Sequence, residues 1–370
     1  INDARTWENE LRINKVAVLG LGLIGGSFAK AVKQSNNKII ISAFDKPEVL
    51  QKALQEKVID EALTSIEDSI FCDLIIMALP IEQSLNIFRL LVPKLKSNQI
   101  ISDLCSVKGI FADEWKTIAS KGTYIGAHPM TGKEKSGYDN SDLLLFENSV
   151  FIVCADNAEE DKLNSYIKFI KLTGSRIVLL DAHLHDRITA HVSHLPQLLS
   201  VLLMNQANNR FDDIALLDFA AGGFRDMTRI ASSDFEIWKS IIQYNKADIL
   251  KTIDVFKNQI SALQKLIDKE NYKSIGEQFE SARLARNEIP INTKGFIDPL
   301  FDITVFVKDE PGMISKISTI LFENNINIKD IELLKIREGT GGNFKFYFES
   351  KPDADKAKKL IVDAGFNIST

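Results

Sequence analysis

Cysteine is scarce in this chain, with three among 370 residues. Cys72, Cys105 and Cys154 are odd in number and far apart. That excludes a disulfide framework and a Cys-x-x-Cys metal site, and it points to a reducing, cytosolic compartment. Long apolar runs are also missing. The strongest, Leu74 to Ile81 and Leu195 to Met204, fall short of the ~18–20 residues a bilayer demands, so no membrane partner is expected. Ile1 to Leu11 is polar and mixed in charge, unlike the apolar core of a signal peptide; residues 1–13 read as an N-terminal arm. There is no basic excess either. Forty-five Lys and Arg against fifty Asp and Glu leave a net charge of −5, so no nucleic-acid partner is expected. What remains is an ordinary globular composition, 45% hydrophobic and 26% charged, in a chain long enough for two or three domains.

Three regions of different periodicity follow one another. From Asn14 to Leu180, short apolar runs alternate with helical stretches. Lys15–Leu19, Ile39–Ala43, Asp73–Ala78, Gln99–Ile101, Val150–Val153 and Arg176–Leu180 read as strands. Their near-continuous Val, Ile and Leu are what a sheet covered on both faces requires, and the alternation predicts an α/β, doubly wound parallel sheet over 14–180. Over 181–291 the strand signal disappears. Ile242, Ile249, Ile253, Phe256, Ile260, Leu263 and Ile267 recur at helical spacing, forming one long stripe, with Ser233 and Glu236 spaced as a capping box at its start. Residues 292–300 have linker composition. From Phe301 to the end the chain reads strand, helix, strand, strand, helix, with a turn at Gly339 to Gly342, a compact ferredoxin-like unit.

Gly20-Leu21-Gly22-Leu23-Ile24-Gly25 directly follows the first strand and opens a helix. In that context the glycines permit a tight turn, close approach of a pyrophosphate, and close packing of helix on strand. The helix N-terminus would face the phosphates, with Leu23 and Ile24 in its first turn. Leu79 and Pro80, after a later strand, complete the expected cofactor contacts. Asp45 ends the second strand. A carboxylate there can accept from ribose hydroxyls and would repel a 2′-phosphate, which predicts NAD rather than NADP, although Lys46 partly offsets the repulsion.

Polar residues concentrate in three further segments. Asp103-Leu104-Cys105-Ser106-Val107-Lys108 follows a strand end, where Ser106 is either a nicotinamide neighbour or an ordinary helix cap. Gly126 to Gly137 is a Gly-rich loop carrying His128, a residue type suited to accept a proton near neutral pH, with Lys133 and Glu134 beside it. Four of the five histidines fall between His183 and His194. His191 and His194 would share one helix face, and Pro196 would kink or interrupt that helix. A metal site there lacks a companion Cys or Asp ligand set, and no metal is expected. In Gly222-Gly223-Phe224-Arg225-Asp226-Met227-Thr228-Arg229, two guanidiniums on one face suit the capture of a carboxylate, or else form a solvated charged face.

Taken in order, G-L-G-L-I-G-G, D-L-C-S-V-K, H-P-M-T-G-K-E-K-S-G, H-V-S-H-L-P and G-G-F-R-D-M-T-R-I-A resemble the motifs of prephenate dehydrogenases with a C-terminal ACT domain, from about Asn14 to Asn367. The resemblance implies a Rossmann-type domain, an all-helical dimerisation domain forming a homodimer, and an ACT domain. It also implies NAD-dependent oxidative decarboxylation of prephenate to 4-hydroxyphenylpyruvate in tyrosine biosynthesis. On this basis His128 is the catalytic histidine and Ser106 bridges it to substrate and nicotinamide. Arg229 binds a substrate carboxylate. His191, His194 and Glu134 match pocket positions, as do Gly222, Arg225, Asp226 and Trp238; at Arg225 relatives carry Lys. Asp309-Glu310-Pro311-Gly312-Met313-Ile314 matches the first ACT turn, so L-tyrosine is the expected effector, held by Asp309, Gly312, Met313, Ile314 and Asn327. Three other readings are an arogenate or dual-specificity cyclohexadienyl dehydrogenase, a β-hydroxyacid dehydrogenase, and an amino-acid sensor that keeps the dinucleotide fold.

Overall fold

In a computed structural model, the structure describes residues 13–133, 135–156, 158–288, 300–337 and 340–369. The expected arm lies outside these apart from Ile13, as does the expected linker apart from Leu300. The chain divides into two compact units, one up to Ile275 and one from Gly276.

The first unit is built on a six-stranded parallel sheet. Its strands are β1 (Lys15–Leu19), β2 (Ile40–Phe44), β3 (Glu61–Ala62), β4 (Leu74–Met77), β5 (Ile100–Asp103) and β6 (Thr123–Tyr124). The helices between them are α1 (Leu23–Ser35), α2 (Pro47–Gln55), α3 (Ile81–Leu91) and, after β5, α4 (Gly109–Thr117). Alternate residues of one strand serve opposite cores. Val16 and Val18 join Phe28, Ile41 and Ile76 on one side; Ala17 and Leu19 join Ile75, Phe88 and Phe111 on the other. Both faces are therefore covered, which explains the unbroken apolar runs. The two-residue strands β3 and β6 carry too little pattern to be seen in the sequence.

The spatial order β3-β2-β1-β4-β5-β6 reverses direction between β1 and β4. Ligands of such sheets bind at that switch point, beyond the carboxyl ends of the strands. Gly20 sits there with φ +93°, where a Cβ would lie 2.8 Å from the Ala78 carbonyl and from the Leu79 side chain. A Cβ on Gly25 would lie 1.9 Å from the Gly20 carbonyl. Both positions therefore require glycine.

One residue beyond β6 the chain leaves this sheet. Strand β7 (Gly126–Pro129) pairs antiparallel with β8 (Val150–Cys154), and β8 pairs parallel with β9 (Arg176–Leu179) across the helix α5 (Glu160–Ile170). His128 is thus a strand residue opposite Ile152, and not the loop residue its glycine-flanked sequence suggests. A strand fixes its Cβ direction more tightly than a loop would.

The helical part follows as α6 (Ala182–Thr189), a π-helical turn over Ala190–His194, and α7 (Leu195–Ala207). Pro196 interrupts the α-helical pattern as expected: the chain stays helical through Thr189, His194 and Leu195, but the turn directly before the proline widens to a π turn. A short hairpin of β10 (Arg210–Phe211) and β11 (Ile214–Ala215) leads to α8 (Gly222–Thr228), α9 (Phe235–Tyr244), α10 (Lys246–Asp268) and α11 (Tyr272–Glu288).

The single long stripe is in fact two helices, because Asn245 interrupts it with φ −113° and ψ 24°. Nor does Ser233 form a capping box. Asp234 caps α9 by accepting the Glu236 N–H at 3.0 Å, while the Ser233 hydroxyl donates to the Ile230 carbonyl and closes the preceding turn. On α10, Ile249 is buried but Ile260, Leu263 and Ile267 are exposed.

The second unit contains a four-stranded antiparallel sheet of order β13-β14-β12-β15. Its strands are β12 (Phe301–Lys308), β13 (Asp330–Arg337), β14 (Gly341–Phe348) and β15 (Asn367–Ser369), with helices α12 (Met313–Glu323) and α13 (Lys351–Asp363) on one face. Val305, Phe346, Ile317 and Ile361 form its core. The three-residue strand β15 is an addition to the elements read from the sequence, and part of the expected Gly339 turn lies outside the described residues.

Candidate active site

The glycine turn fits a dinucleotide. Gly22 precedes α1 in extended conformation and has no side chain to cap the helix, so the first N–H groups of α1 remain open to an anion. A Cβ on Gly22 would meet nothing within 4 Å, so open space lies beside that turn. Leu23 and Ile24 stand in the first turn of α1, half-buried against the sheet core. Leu79 packs on Gly20, and Pro80 precedes α3. Asp45 follows β2 and accepts the Leu21 N–H at 2.5 Å, tying the turn to the next strand end; its other oxygen accepts the Lys46 N–H at 2.6 Å.

Ser106 lies between β5 and α4 and is half-buried. It is not the cap of α4. Lys108 occupies that position, and the open N–H groups of Lys108 and Gly109 are taken, each at 2.8 Å, by the Asp186 carboxylate of α6. The alternative role for Ser106 as a plain helix cap is thereby excluded.

Beneath β7, Lys108 and Asp103 form an ion pair that is 0% exposed on both sides. Lys108 Nζ also donates to the Ala127 carbonyl at 2.7 Å, and the Tyr124 hydroxyl donates to Asp103 at 2.8 Å. The backbone just before His128 is thus anchored by a buried cation. His128 itself is partly exposed, with Nδ1 2.8 Å from His185 Nε2. Burial, then the neighbouring His185, Lys108 and His194, hold its imidazole well below the ordinary histidine range, so it is a neutral base at pH 7. His185 Nδ1 lies 2.8 Å from Asp186 Oδ1.

His194 is 1% exposed. Its Nδ1 accepts from Asn245 Nδ2 at 3.1 Å, and the same amide donates to the Asp186 carbonyl at 2.8 Å. With Nδ1 accepting, neutral His194 carries its hydrogen on Nε2 and can serve as a donor. Burial lowers its pKa to about 4. The Trp238 ring meets it edge-on at 5.9 Å.

His191 does not share that environment. It is exposed, because the wider π turn separates residues three apart by a larger angle than an α-helix does. Gly222, Arg225, Asp226 and Arg229 are exposed on α8 and the turn after it. This turn is tied to α7 one helical turn beyond His194, where Gln197 Nε2 donates to the Ile230 carbonyl at 2.8 Å. Glu134 lies outside the described residues. Sequence reasoning leaves the roles of His185, Asp186, Lys108 and Asn245 unassigned. The crowding of histidines between positions 183 and 194 is their one local signal. His183, the other member, is exposed beside Asp113.

Three family models match the chain in order. They are the prephenate dehydrogenase nucleotide-binding domain over residues 28–179, the prephenate dehydrogenase dimerization domain over 181–281, and the ACT domain over 301–368. A prephenate dehydrogenase of Bacillus subtilis is 32% identical over 94% of this chain and 95% of its own length. The chain belongs to the prephenate dehydrogenase family. It is therefore an oxidoreductase assembled on a dinucleotide-binding sheet, with a helical domain and an ACT domain. A cyclohexadienyl dehydrogenase of Zymomonas mobilis is 28% identical, covering 73% of this chain and 94% of that one. Among solved structures, prephenate dehydrogenase from A. aeolicus in complex with hydroxyphenyl propionate and NAD+ superposes with a TM-score of 0.70 at 30% identity, over 75% of this chain and 99% of that chain.

In the second unit, Gly312 has φ +84° and starts α12. Asp309, Gly312, Ile314 and Asn327 are exposed, while Met313 packs on the core.

Proposed function

We propose that this protein carries out NAD-dependent oxidative decarboxylation of prephenate to 4-hydroxyphenylpyruvate. The observation that carries the reading is His128, held on β7 where the buried Lys108 ties Ala127 to Asp103 at the carboxyl end of β5, in the same unit as an open dinucleotide turn. NAD, when bound, supplies the hydride acceptor. His128 takes the proton of the ring hydroxyl as the hydride leaves the same carbon, and Ser106 orients both groups. Loss of the ring carboxylate makes the ring aromatic, so no high-energy carbanion needs stabilising. The protein's work is orientation, proton acceptance and charge pairing. Arg229 pairs with a substrate carboxylate, His194 donates from Nε2, and Trp238, Gly222, Arg225 and Asp226 shape the pocket; His191 and Glu134 keep the pocket roles their motifs imply. Asp45 selects NAD through the ribose, so KM for NADP should be clearly the higher. Following NADH absorbance with prephenate and arogenate in parallel tests the reading. Oxidation of prephenate supports it, arogenate alone would make the chain an arogenate dehydrogenase, and turnover of neither would remove the enzyme reading.

Assembly and control belong to the same proposal. Exposed Leu202, Phe235, Ile237 and Ile260 give the helical region an apolar surface that a homodimer would cover, and light scattering of the intact chain at monomer mass would overturn this. L-tyrosine is the proposed feedback inhibitor, held around the turn before α12 by Asp309, Gly312, Met313, Ile314 and Asn327. Equilibrium dialysis of the intact chain should show binding; none would dismiss the effector role. The three cysteines are buried free thiols, which supports a cytoplasmic setting.

A further inference from the structure

Behind His128 stand two side chains with no part in the chemistry described above. The hydrogen-bond directions between them follow from what each group can donate. Asp186 Oδ1 accepts the Lys108 N–H and Oδ2 accepts the Gly109 N–H, both at 2.8 Å. Both oxygens are thus committed as acceptors, so the hydrogen in the 2.8 Å contact between Asp186 Oδ1 and His185 Nδ1 belongs to the imidazole. A neutral His185 with hydrogen on Nδ1 has a bare Nε2. That atom lies 2.8 Å from His128 Nδ1, which must then donate. Neutral His128 is left with its lone pair on Nε2, at the opposite edge of the ring. Free imidazole side chains in water favour the other tautomer, which presents a hydrogen at that edge and cannot take up a proton there.

The surroundings keep both rings neutral. His128 faces His185, Lys108 and His194. His185 faces Asp186, Lys108 and Asp103, and it is 0% exposed. The arrangement joins three elements: β7 supplies the base, α6 supplies His185 and Asp186, and the N-terminus of α4 fixes the carboxylate.

We propose that His185 and Asp186 are positioning residues for His128, holding it as the Nδ1–H tautomer so that Nε2 stays available as proton acceptor; this rests on the reading of His128 as general base. When Nε2 takes the hydroxyl proton, Asp186 is the counter-charge one ring away from the new imidazolium.

The test has two independent readouts on the full chain. The first is two-bond 1H–15N spectroscopy of histidine-labelled protein near neutral pH, which needs no turnover. His128 should carry its hydrogen on Nδ1; finding it on Nε2 overturns the proposal whatever the substrate proves to be. The second is kinetics of Asp186→Asn, His185→Gln and His185→Leu. In Asp186→Asn the new amide can donate to His185 and so reverse both rings. Turnover should fall about 10²–10⁴-fold, with KM for prephenate and NAD affinity within about threefold. Asp186 also caps α4, so that variant can lose fold as well as direction, but the two His185 variants leave the cap intact. In His185→Gln the side-chain amide can accept from His128 and donate to Asp186, preserving the directions. That variant should turn over at least about tenfold faster than His185→Leu, the span by which a correctly held base exceeds a misdirected one. A leucine variant as fast as the parent, or a glutamine variant no faster than leucine, overturns the proposal. A parent that oxidises no prephenate would dismiss the proposed reaction, while the tautomer measurement would still decide the positioning role.

Discussion

Replacing Lys108 by methionine isolates the buried ion pair beneath the candidate base. Methionine keeps most of the side-chain volume and removes the charge. Asp103, 0% exposed, would keep two donors, the Cys105 N–H at 3.0 Å and the Tyr124 hydroxyl at 2.8 Å, but would lose its cation. The Ala127 carbonyl would lose its 2.7 Å donor. Breaking one side of a buried pair costs about 3–5 kcal/mol. An orphaned buried carbonyl costs about 1–3 kcal/mol more, and the two share one site, so a combined loss of about 4 kcal/mol is expected. For a unit of this size, ~1 kcal/mol moves Tm by about 2–4 °C, giving a fall of about 8–16 °C. Circular dichroism melts of the full chain measure it. The double variant Asp103→Asn with Lys108→Met removes the charge problem; its one amide oxygen can accept the Cys105 N–H while its amide nitrogen donates to the Tyr124 hydroxyl oxygen, so at least half the loss should return. A single variant melting within about 2 °C of the parent, or a double variant no better than the single, would refute this account.

Other perturbations reach the remaining parts of the site. His128→Asn should lower kcat about 10²–10⁴-fold, the usual scale for a lost general base, and near-normal NADH production would remove the assignment. Arg229→Ala should raise KM for prephenate about 10–100-fold with little change in kcat, the exposed guanidinium being worth less than a buried one; an unchanged KM would exclude it from the site. Stability should fall in acid. His194 has its pKa lowered from 6.5 to about 4, so its contribution is complete above about pH 6.5 and is lost as pH drops toward 4, where the unfolded chain binds a proton that the folded chain refuses. The full effect is about 3 kcal/mol, and His128 and His185 shift in the same direction. Urea midpoints at about pH 7.5 and about pH 5 check this, and equal midpoints would contradict it.

The dinucleotide sheet and the ACT unit are legible in the sequence because their signals are local. Apolar runs covered on both faces, a glycine turn between β1 and α1, and an αL glycine before α12 each act within a few residues. Asp45, Gly20 and Leu79 fall near one another because β1 lies between β2 and β4, an order that strand–helix alternation alone does not specify. The departures share a cause. Asn245 breaks the long stripe because its amide is drawn to His194 and Asp186, partners 51 and 59 residues away. His191 and His194 part company because the interruption that Pro196 announces takes the form of a π turn in place of an α-helical one, a form the sequence does not specify. The caps follow the same rule, since Asp186 caps α4 from 77 residues downstream.

By itself, then, the sequence determined the kind of protein. Its motifs name the family, and its periodicity orders a dinucleotide sheet, a helical region and a small antiparallel unit. Tertiary structure alone decided how the candidate base is held. His128 and His185 are 57 residues apart, and nothing in either neighbourhood says which nitrogen keeps its hydrogen. That depends on a carboxylate already saturated by two backbone donors from a third element. Hydrogen-bond direction is a property of the assembled network, and it becomes defined only when the chain has folded.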